Sequence, residues 1–500
     1  MLRPKSTMKN RRDFSVVPGC LSVVVEYMKR RIGLNQEERV RRVYCRLKER
    51  YRLRGWERLP YAIQDVAGGG IVFLDEKAFQ AASFCNGMVD VASPLLLPAH
   101  RRAVGLLKEQ GIVEECAFGE EVKEEQKYRL IPCRYMRKAH WSITGRCNLK
   151  CRHCFMSAPH AKYGELSLEK CLDIVRQIAE AGILDVSLTG GEPLVRNDFF
   201  EIVDALRAES VTISQVYTNG VLVNEALLNG FEARGIRPEF SLSFDGAGCH
   251  DWLRGVAGAE RKAIRAMELL RSRDFPVSIE TALYRGNLHT LPTSLELFAG
   301  LGVESWKATP ATDAGEWLKE KGRYTLSIEE LYEAYLDFIP QYRAAGAPLT
   351  LMLGGFFHCR KGEESYRIPC RKYDGSGKML RQTVCGSARN TMYISADGKL
   401  LPCIPLSGMS IQGEMPDITK TPLCEALSDS KYLSLIDTRL EELLKENERC
   451  ASCEHRLSCG GGCRAGALAV GNEYLGVDEA TCAFFKNGYE ERIGDAWGKP

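Results

Sequence analysis

The chain has 500 residues, 45% of them hydrophobic, and a net charge of +3, enough apolar material for several cores and roughly two to four domains. No apolar run approaches the about 18 to 20 residues that cross a bilayer, and the near-neutral balance carries no nucleic-acid signature. The expectation is a cytoplasmic protein with neither a membrane nor a nucleic acid as partner. Charge is concentrated only at the start, where residues 1–60 hold 17 Lys and Arg against 6 Asp and Glu. That excess reads as a solvated helix face around Arg39, Arg41, Arg42, Arg46 and Arg50, since charge runs mostly solvate.

Along the chain, a basic helical segment (1–50) precedes a stretch of short strands at Arg52–Trp56, Tyr61–Val66 and Ile71–Leu74, the last two separated by the turn Gly68, Gly69, Gly70. Helices are expected from Asp75 through Phe84, stopped by Asn86 and Gly87, and from His100 to Glu109, stopped by Gly111. Three strands followed by helices make a winged-helix-like module over 51–117. The charge-rich residues that follow read as a linker, 118–138.

From Ala139 the pattern alternates strand and helix. Strands are expected at His140–Thr144, Asp185–Thr189, Ile213–Tyr217, Glu239–Ser243, Val277–Ala282 and Ser305–Thr309. Between the first two, Leu168, Cys171, Leu172, Val175, Ile178 and Ala179 share one face of a helix over Ser167–Ala181. Six successive βα units imply an α/β fold, a partial (β/α)6 TIM-type barrel over 139–345 with its chemistry at the strand carboxyl ends. The remainder, 346–500, has few long periodic segments and most of the clustered cysteines, and so reads as a domain held together by metal.

The chain has 20 cysteines, and they bunch. Cys147, Cys151 and Cys154 follow the first barrel strand with three and then two residues between them. Three thiolates on one loop hold three irons of a 4Fe–4S cluster and leave the fourth iron open to chelate a small molecule, whereas a structural zinc would want a fourth protein ligand. At the second strand end, Gly190, Gly191 and Glu192 precede Pro193; glycines admit close backbone approach and the carboxylate suits an ammonium. Further on lie Cys385, then Gly398 with four residues before Cys403, then Cys450, Cys453, Cys459 and Cys463 at spacings of two, five and three, and finally Cys482.

The Cys147 to Cys154 spacing, with aromatic His153 before the last cysteine, resembles the signature of the radical S-adenosylmethionine (SAM) superfamily. The Gly190 to Pro193 run is similar to that family's GGEP motif. By this resemblance Cys147, Cys151 and Cys154 bind the cluster that cleaves SAM to a 5′-deoxyadenosyl radical. His153, Gly190, Gly191, Glu192, Asn219, Ser243 and Arg254 would bind the cofactor, Gly190 to Glu192 taking its methionyl amino group and Ser243 with Arg254 its carboxylate or ribose. The C-terminal cysteines resemble a SPASM domain with two auxiliary clusters. Cys450, Cys453, Cys459 and Cys482 would hold one, Cys385, Cys403 and Cys463 the other, with Cys370 or Cys359 as its fourth ligand.

The resemblance thus implies SAM and three 4Fe–4S clusters as cofactors. The 51–117 module looks like the precursor-recognition element (RRE) of ribosomal-peptide (RiPP) maturases, where a leader peptide adds as a strand to a sheet edge, with Ile71–Leu74 the first choice of edge. The reading is a radical SAM maturase acting on a precursor peptide with a leader, fed by an external flavodoxin- or ferredoxin-type electron donor. Its chemistry would be a thioether or carbon–carbon crosslink, or epimerisation. The alternatives are an anaerobic sulfatase-type maturase oxidising Cys or Ser, and a non-catalytic iron–sulfur electron carrier or regulator.

Overall fold

The computed structural model describes residues 41–320, 322–371, 376–471 and 473–498. The basic segment up to residue 40, with Cys20 and Arg39, lies outside them. Two compact units are present: one joins Gln80–Val122 to the described part of Met1–Lys48, and the other joins Glu49–Phe79 to Lys123–Pro500.

Seven short strands precede the barrel: β1 (Tyr44–Leu47), β2 (Tyr51–Trp56), β3 (Leu59–Asp65), β4 (Gly70–Phe73), β5 (Asn86–Asp90), β6 (Val113–Cys116) and β7 (Arg129–Ile131). In the smaller unit β5, β1 and β6 form an antiparallel sheet in that order. Cys45 and Leu47 of β1 are buried, as the period of two requires for one covered face. The helix Pro98–Glu109 buries Val104 and Leu107.

In the larger unit β4, β3, β2 and β7 form a second sheet in that order, with β4 at one edge. The expected module 51–117 spans both units, the strands of 51–74 falling in the larger and the helix Pro98–Glu109 in the smaller. The reason lies in where the strands bury their side chains. The Trp56 indole donates to the Ala181 carbonyl at 3.0 Å and the Gln64 amide to that of Gly182 at 2.9 Å, which fastens this sheet to the end of the helix Leu168–Glu180. A Cβ at Gly182 would lie 2.6 Å from Ile131 and 2.8 Å from the Trp56 ring, so only glycine admits this contact. Two smaller expectations also change. Asn86 and Gly87 open β5 rather than ending a helix alone, and the linker 118–138 contains β7, parallel to β2.

The principal sheet has 11 strands. They are β8 (Lys138–Ser142), β9 (Asp185–Thr189), β10 (Thr212–Thr218), β11 (Glu239–Ser243), β12 (Val277–Leu283), β13 (Ser305–Pro310), β14 (Thr350–Leu353), β15 (Phe357–Cys359), β16 (Tyr366–Arg367), β17 (Thr391–Ile394) and β18 (Leu400–Leu401). Strands β8 to β14 run parallel and neighbour one another in chain order. All six strands expected from the sequence are among them, and Asp185–Thr189 and Glu239–Ser243 keep their expected bounds.

The barrel sheet extends past residue 345, however. Leu349, Leu351 and Leu353 are buried and Tyr342 donates to the Leu349 carbonyl at 2.7 Å, which brings β14 onto β13. Beyond the other edge β17, from the cysteine-rich region, pairs parallel with β8. The helix expected over Ser167–Ala181 forms as Leu168–Glu180, capped by the Ser167 hydroxyl and burying Cys171, Ile174, Val175 and Ile178. One sheet face packs Val186, Leu188, Phe240, Leu242 and Trp306 into the main core. The alternate positions carry polar groups such as Tyr217, Ser243, Glu280 and Lys307 that line a cavity.

Candidate functional site

Beyond β8 the chain turns through Thr144, whose hydroxyl donates to Glu165 at 2.6 Å and accepts from the Arg146 N–H at 3.0 Å. The cysteine loop then docks on two neighbours. On one side the N–H groups of Lys150 and Arg152 donate to the carbonyls of Arg254 and Leu253 at 3.2 and 2.8 Å. On the other, Gly191 N–H donates to Thr144 and Glu192 N–H to Arg146 at 2.8 and 2.9 Å. The approach excludes side chains: a Cβ at Gly190 would stand 2.6 Å from the Thr144 carbonyl oxygen, and one at Gly191 2.3 Å from that of Arg146.

Cys147, Cys151 and Cys154 face one cavity of about 390 Å³, together with His153, Gly190, Gly191, Asn219, Ser243 and Arg254. Of the residues expected to bind cofactor, only Glu192 is missing from its wall. Donors surround the sulfurs. Leu149 N–H lies 3.4 Å from Cys147 Sγ and Ala158 N–H 3.2 Å from Cys154 Sγ, while Asn219 Nδ2 and Arg254 Nη1 approach Cys147 and Cys151 at 3.9 Å. Burial pushes the Cys147 thiol up to about 12 and raises those of Cys151 and Cys154, with Arg254 opposing the rise at Cys151. The half-buried His153 ring has no partner at Nδ1; desolvation, then Arg254, pushes it down to about 3.

Glu192 is fully buried, and its carboxylate accepts from Thr218 Oγ1 and Asn219 N–H, both at 2.7 Å, and from Leu194 N–H at 3.3 Å. Burial, partly offset by these donors, raises its carboxyl to about 7. It braces Asn219 from behind rather than facing the cavity as expected. Arg254 keeps its place on the wall, but two of its nitrogens are held by buried Asp245 at 2.7 and 3.1 Å. Burial alone would raise the Asp245 carboxyl; Arg254 and His250 hold it well below the usual range.

The C-terminal cysteines fall into two sets. Cys450, Cys453, Cys459 and Cys482 line one small cavity of about 40 Å³, and Arg449, paired with Glu479 at 2.6 Å, approaches Cys482 Sγ at 3.6 Å. In the second set the Cys403 thiol is pushed up to about 12 by burial, then by Cys463 and Cys385. Burial pushes the Cys370 thiol up to about 12. Cys359 is buried, its Sγ close to the carbonyls of Arg360 and Glu363 at 3.4 and 3.5 Å.

The fit to iron–sulfur clusters rests on the donor chemistry: mostly half-buried thiols gathered in sets, with N–H groups aimed at the sulfurs of the first. Among the described residues no three His, Cys, Asp or Glu side chains are grouped closely enough to hold a single metal ion. Sequence reasoning passed over Asp245, which anchors Arg254, and Glu280 and Lys307 on the cavity wall. The signal was present, because Glu280 is the one charge within the otherwise uncharged strand β12, VSIETAL.

Comparison with known proteins agrees with this geometry. Residues 141–297 match the radical SAM superfamily and residues 385–454 the SPASM iron–sulfur cluster-binding domain. An AdoMet-dependent heme synthase of Methanosarcina barkeri is 28% identical over 69% of this chain and 95% of its own length. A PqqA peptide cyclase of Granulibacter bethesdensis is 27% identical over 68% and 85%. Streptococcus suis SuiB, in its crystal structure with precursor peptide SuiA, shares the fold with a TM-score of 0.58 at 15% identity, over 88% of this chain and 99% of that one. The chain thus carries a radical SAM domain over residues 141–297, followed by a SPASM iron–sulfur cluster-binding domain over residues 385–454.

Proposed function

We propose that this enzyme modifies a ribosomally made precursor peptide, joining two of its residues by a thioether or carbon–carbon bond. The observation that carries the reading is likeness to proteins that take peptides: SuiB, solved with its precursor peptide, shares the fold over 88% of this chain, and a peptide cyclase is 27% identical over 68% of it. Heme synthesis is the second reading, favoured by the similar identity of the heme synthase.

Cys147, Cys151 and Cys154 would hold the SAM cluster. Cys450, Cys453, Cys459 and Cys482 would hold one auxiliary cluster, and Cys385, Cys403 and Cys463 another. When bound, SAM and its cluster would supply the hydrogen-abstracting 5′-deoxyadenosyl radical, with the electron coming from an outside flavodoxin- or ferredoxin-type donor. The protein's part is placement. The backbone at Gly190 and Gly191 would receive the cofactor's ammonium, with Glu192 holding Asn219 behind it. Ser243 and Arg254 would take its carboxylate, and His153 would contribute from the cysteine loop. A leader peptide would add to the exposed edge strand β4, raising the local concentration of the segment to be modified.

The test is anaerobic reaction of the reconstituted full-length protein with peptides encoded beside its gene, followed by mass spectrometry. Loss of two hydrogens per bond formed is expected. No mass change in any peptide, with turnover of a heme precursor instead, would overturn the reading.

A further inference from the structure

We propose that Glu280 is the proton acceptor of the bond-forming step and that Lys307 positions it, an inference resting on the peptide-crosslinking reading. Among the described residues lining the cavity that holds the three cluster cysteines, Glu280 is the single carboxylate. It stands on β12 directly opposite Lys307 on β13 in the parallel register. The ammonium donates to both carboxylate oxygens, at 3.0 and 3.3 Å, which sets the direction in which the carboxylate faces. The two side chains remain 32% and 44% exposed to the cavity, whereas the Asp245 side chain, locked on Arg254, is 0% exposed.

Neither the neighbouring carboxylate nor the phenol of this wall is suited. Glu192 is buried behind it, and the SPASM region contributes only Ile404 and Pro405. Burial, then Glu280 and Glu239, raises the Tyr217 phenol, so it stays protonated and has no vacancy for a proton.

The step balances as follows. The peptide gives up one hydrogen atom, which ends in 5′-deoxyadenosine. Its radical carbon then bonds to a sulfur or carbon of a second residue. The second hydrogen leaves as a proton to a Glu280 carboxylate oxygen, and the remaining electron passes to an oxidised iron–sulfur cluster of the SPASM domain.

The experiment uses the full-length anaerobic enzyme and the peptide it converts, deuterated at the abstracted position. Glu280→Gln is expected to pass deuterium into 5′-deoxyadenosine yet yield about a hundredfold less crosslinked product per 5′-deoxyadenosine, with a peptide radical accumulating in frozen samples by electron paramagnetic resonance. Glu280→Asp should restore part of the ratio with an altered pH profile, and Glu268→Gln, on an exposed helix face, should match the wild type. An unchanged product ratio in Glu280→Gln overturns the proposal while leaving the peptide reading intact. If that variant loses its clusters, Glu280→Asp decides, and a wild-type ratio and pH profile there overturn the proposal. A wild-type enzyme that converts no peptide removes the peptide reading and this inference with it.

Discussion

The two cysteine-bearing regions are built on different supports. The loop of Cys147, Cys151 and Cys154 hangs from β8 and is clamped by backbone bonds to the segments after β9 and β11, so its sulfurs are placed by the largest core in the molecule. The seven cysteines of the two C-terminal sets sit on turns and helices as short as the four residues of Glu448–Ala451 and Arg456–Cys459. Part of this region, including Met392, Ile394, Leu400, Ile418 and Tyr432, shares the main core, but the turns of Cys450 and its neighbours rest on a smaller one centred on Val384, Leu440 and Leu443. A site carried by a parallel sheet is preorganised before any cofactor arrives. A site carried by single turns draws its order from what it binds.

The sharpest way to break this comparison is Cys151→Ala, which should reduce 5′-deoxyadenosine formation to background, since each thiolate holds one iron. Full SAM cleavage by a reconstituted Cys151→Ala protein would end the assignment. Cys450→Ala should act differently: iron falls from about twelve per chain toward about eight, product is lost, and part of SAM cleavage survives. A wild-type plateau near four irons would remove the two-set reading of the C-terminal cysteines. Stripping iron with a chelator should then raise amide hydrogen exchange by about tenfold or more around residues 448–482 while β9 to β12 stay protected. Equal loss in both regions would show that the barrel also depends on metal.

Glu192 tests the preorganised side through pH. Its folded carboxyl is raised from 4.5 to about 7, so the folded state favours its protonated form. The associated stability is present in full below about pH 4.5 and is lost as pH rises through about 7, amounting to about 3 kcal/mol. Thermal unfolding under argon should show that decline. Glu192→Gln should flatten it, with a loss of about 2 kcal/mol at pH 8, because three donors point at the carboxylate and an amide offers one acceptor oxygen. The smallest effect is expected at Ser243→Ala: about fivefold weaker SAM binding by equilibrium dialysis, the value of one hydrogen bond of about 1 kcal/mol.

The barrel was legible from the chain because alternation of strand and helix is a local property. Val186 and Leu188 point one way and their neighbours the other wherever the strand is placed. The cluster loop was legible because three thiols within eight residues converge by chain geometry alone. The sequence by itself determined the parallel α/β unit, the Cys147 to Cys154 set and the glycine turn at Gly190.

Only the tertiary structure decided which long-range partners each group meets. Arg254 and Asp245 lie nine residues apart on either side of a turn, and nothing local says that they pair. Glu192 was placed at the right turn, but its burial against Thr218 and Asn219 depends on how β10 ends. The strands of 51–74 join the barrel unit through Trp56 and Gln64 rather than the helices that follow them. In each case the choice is made by packing between segments distant in the chain, and residue spacing carries no record of that.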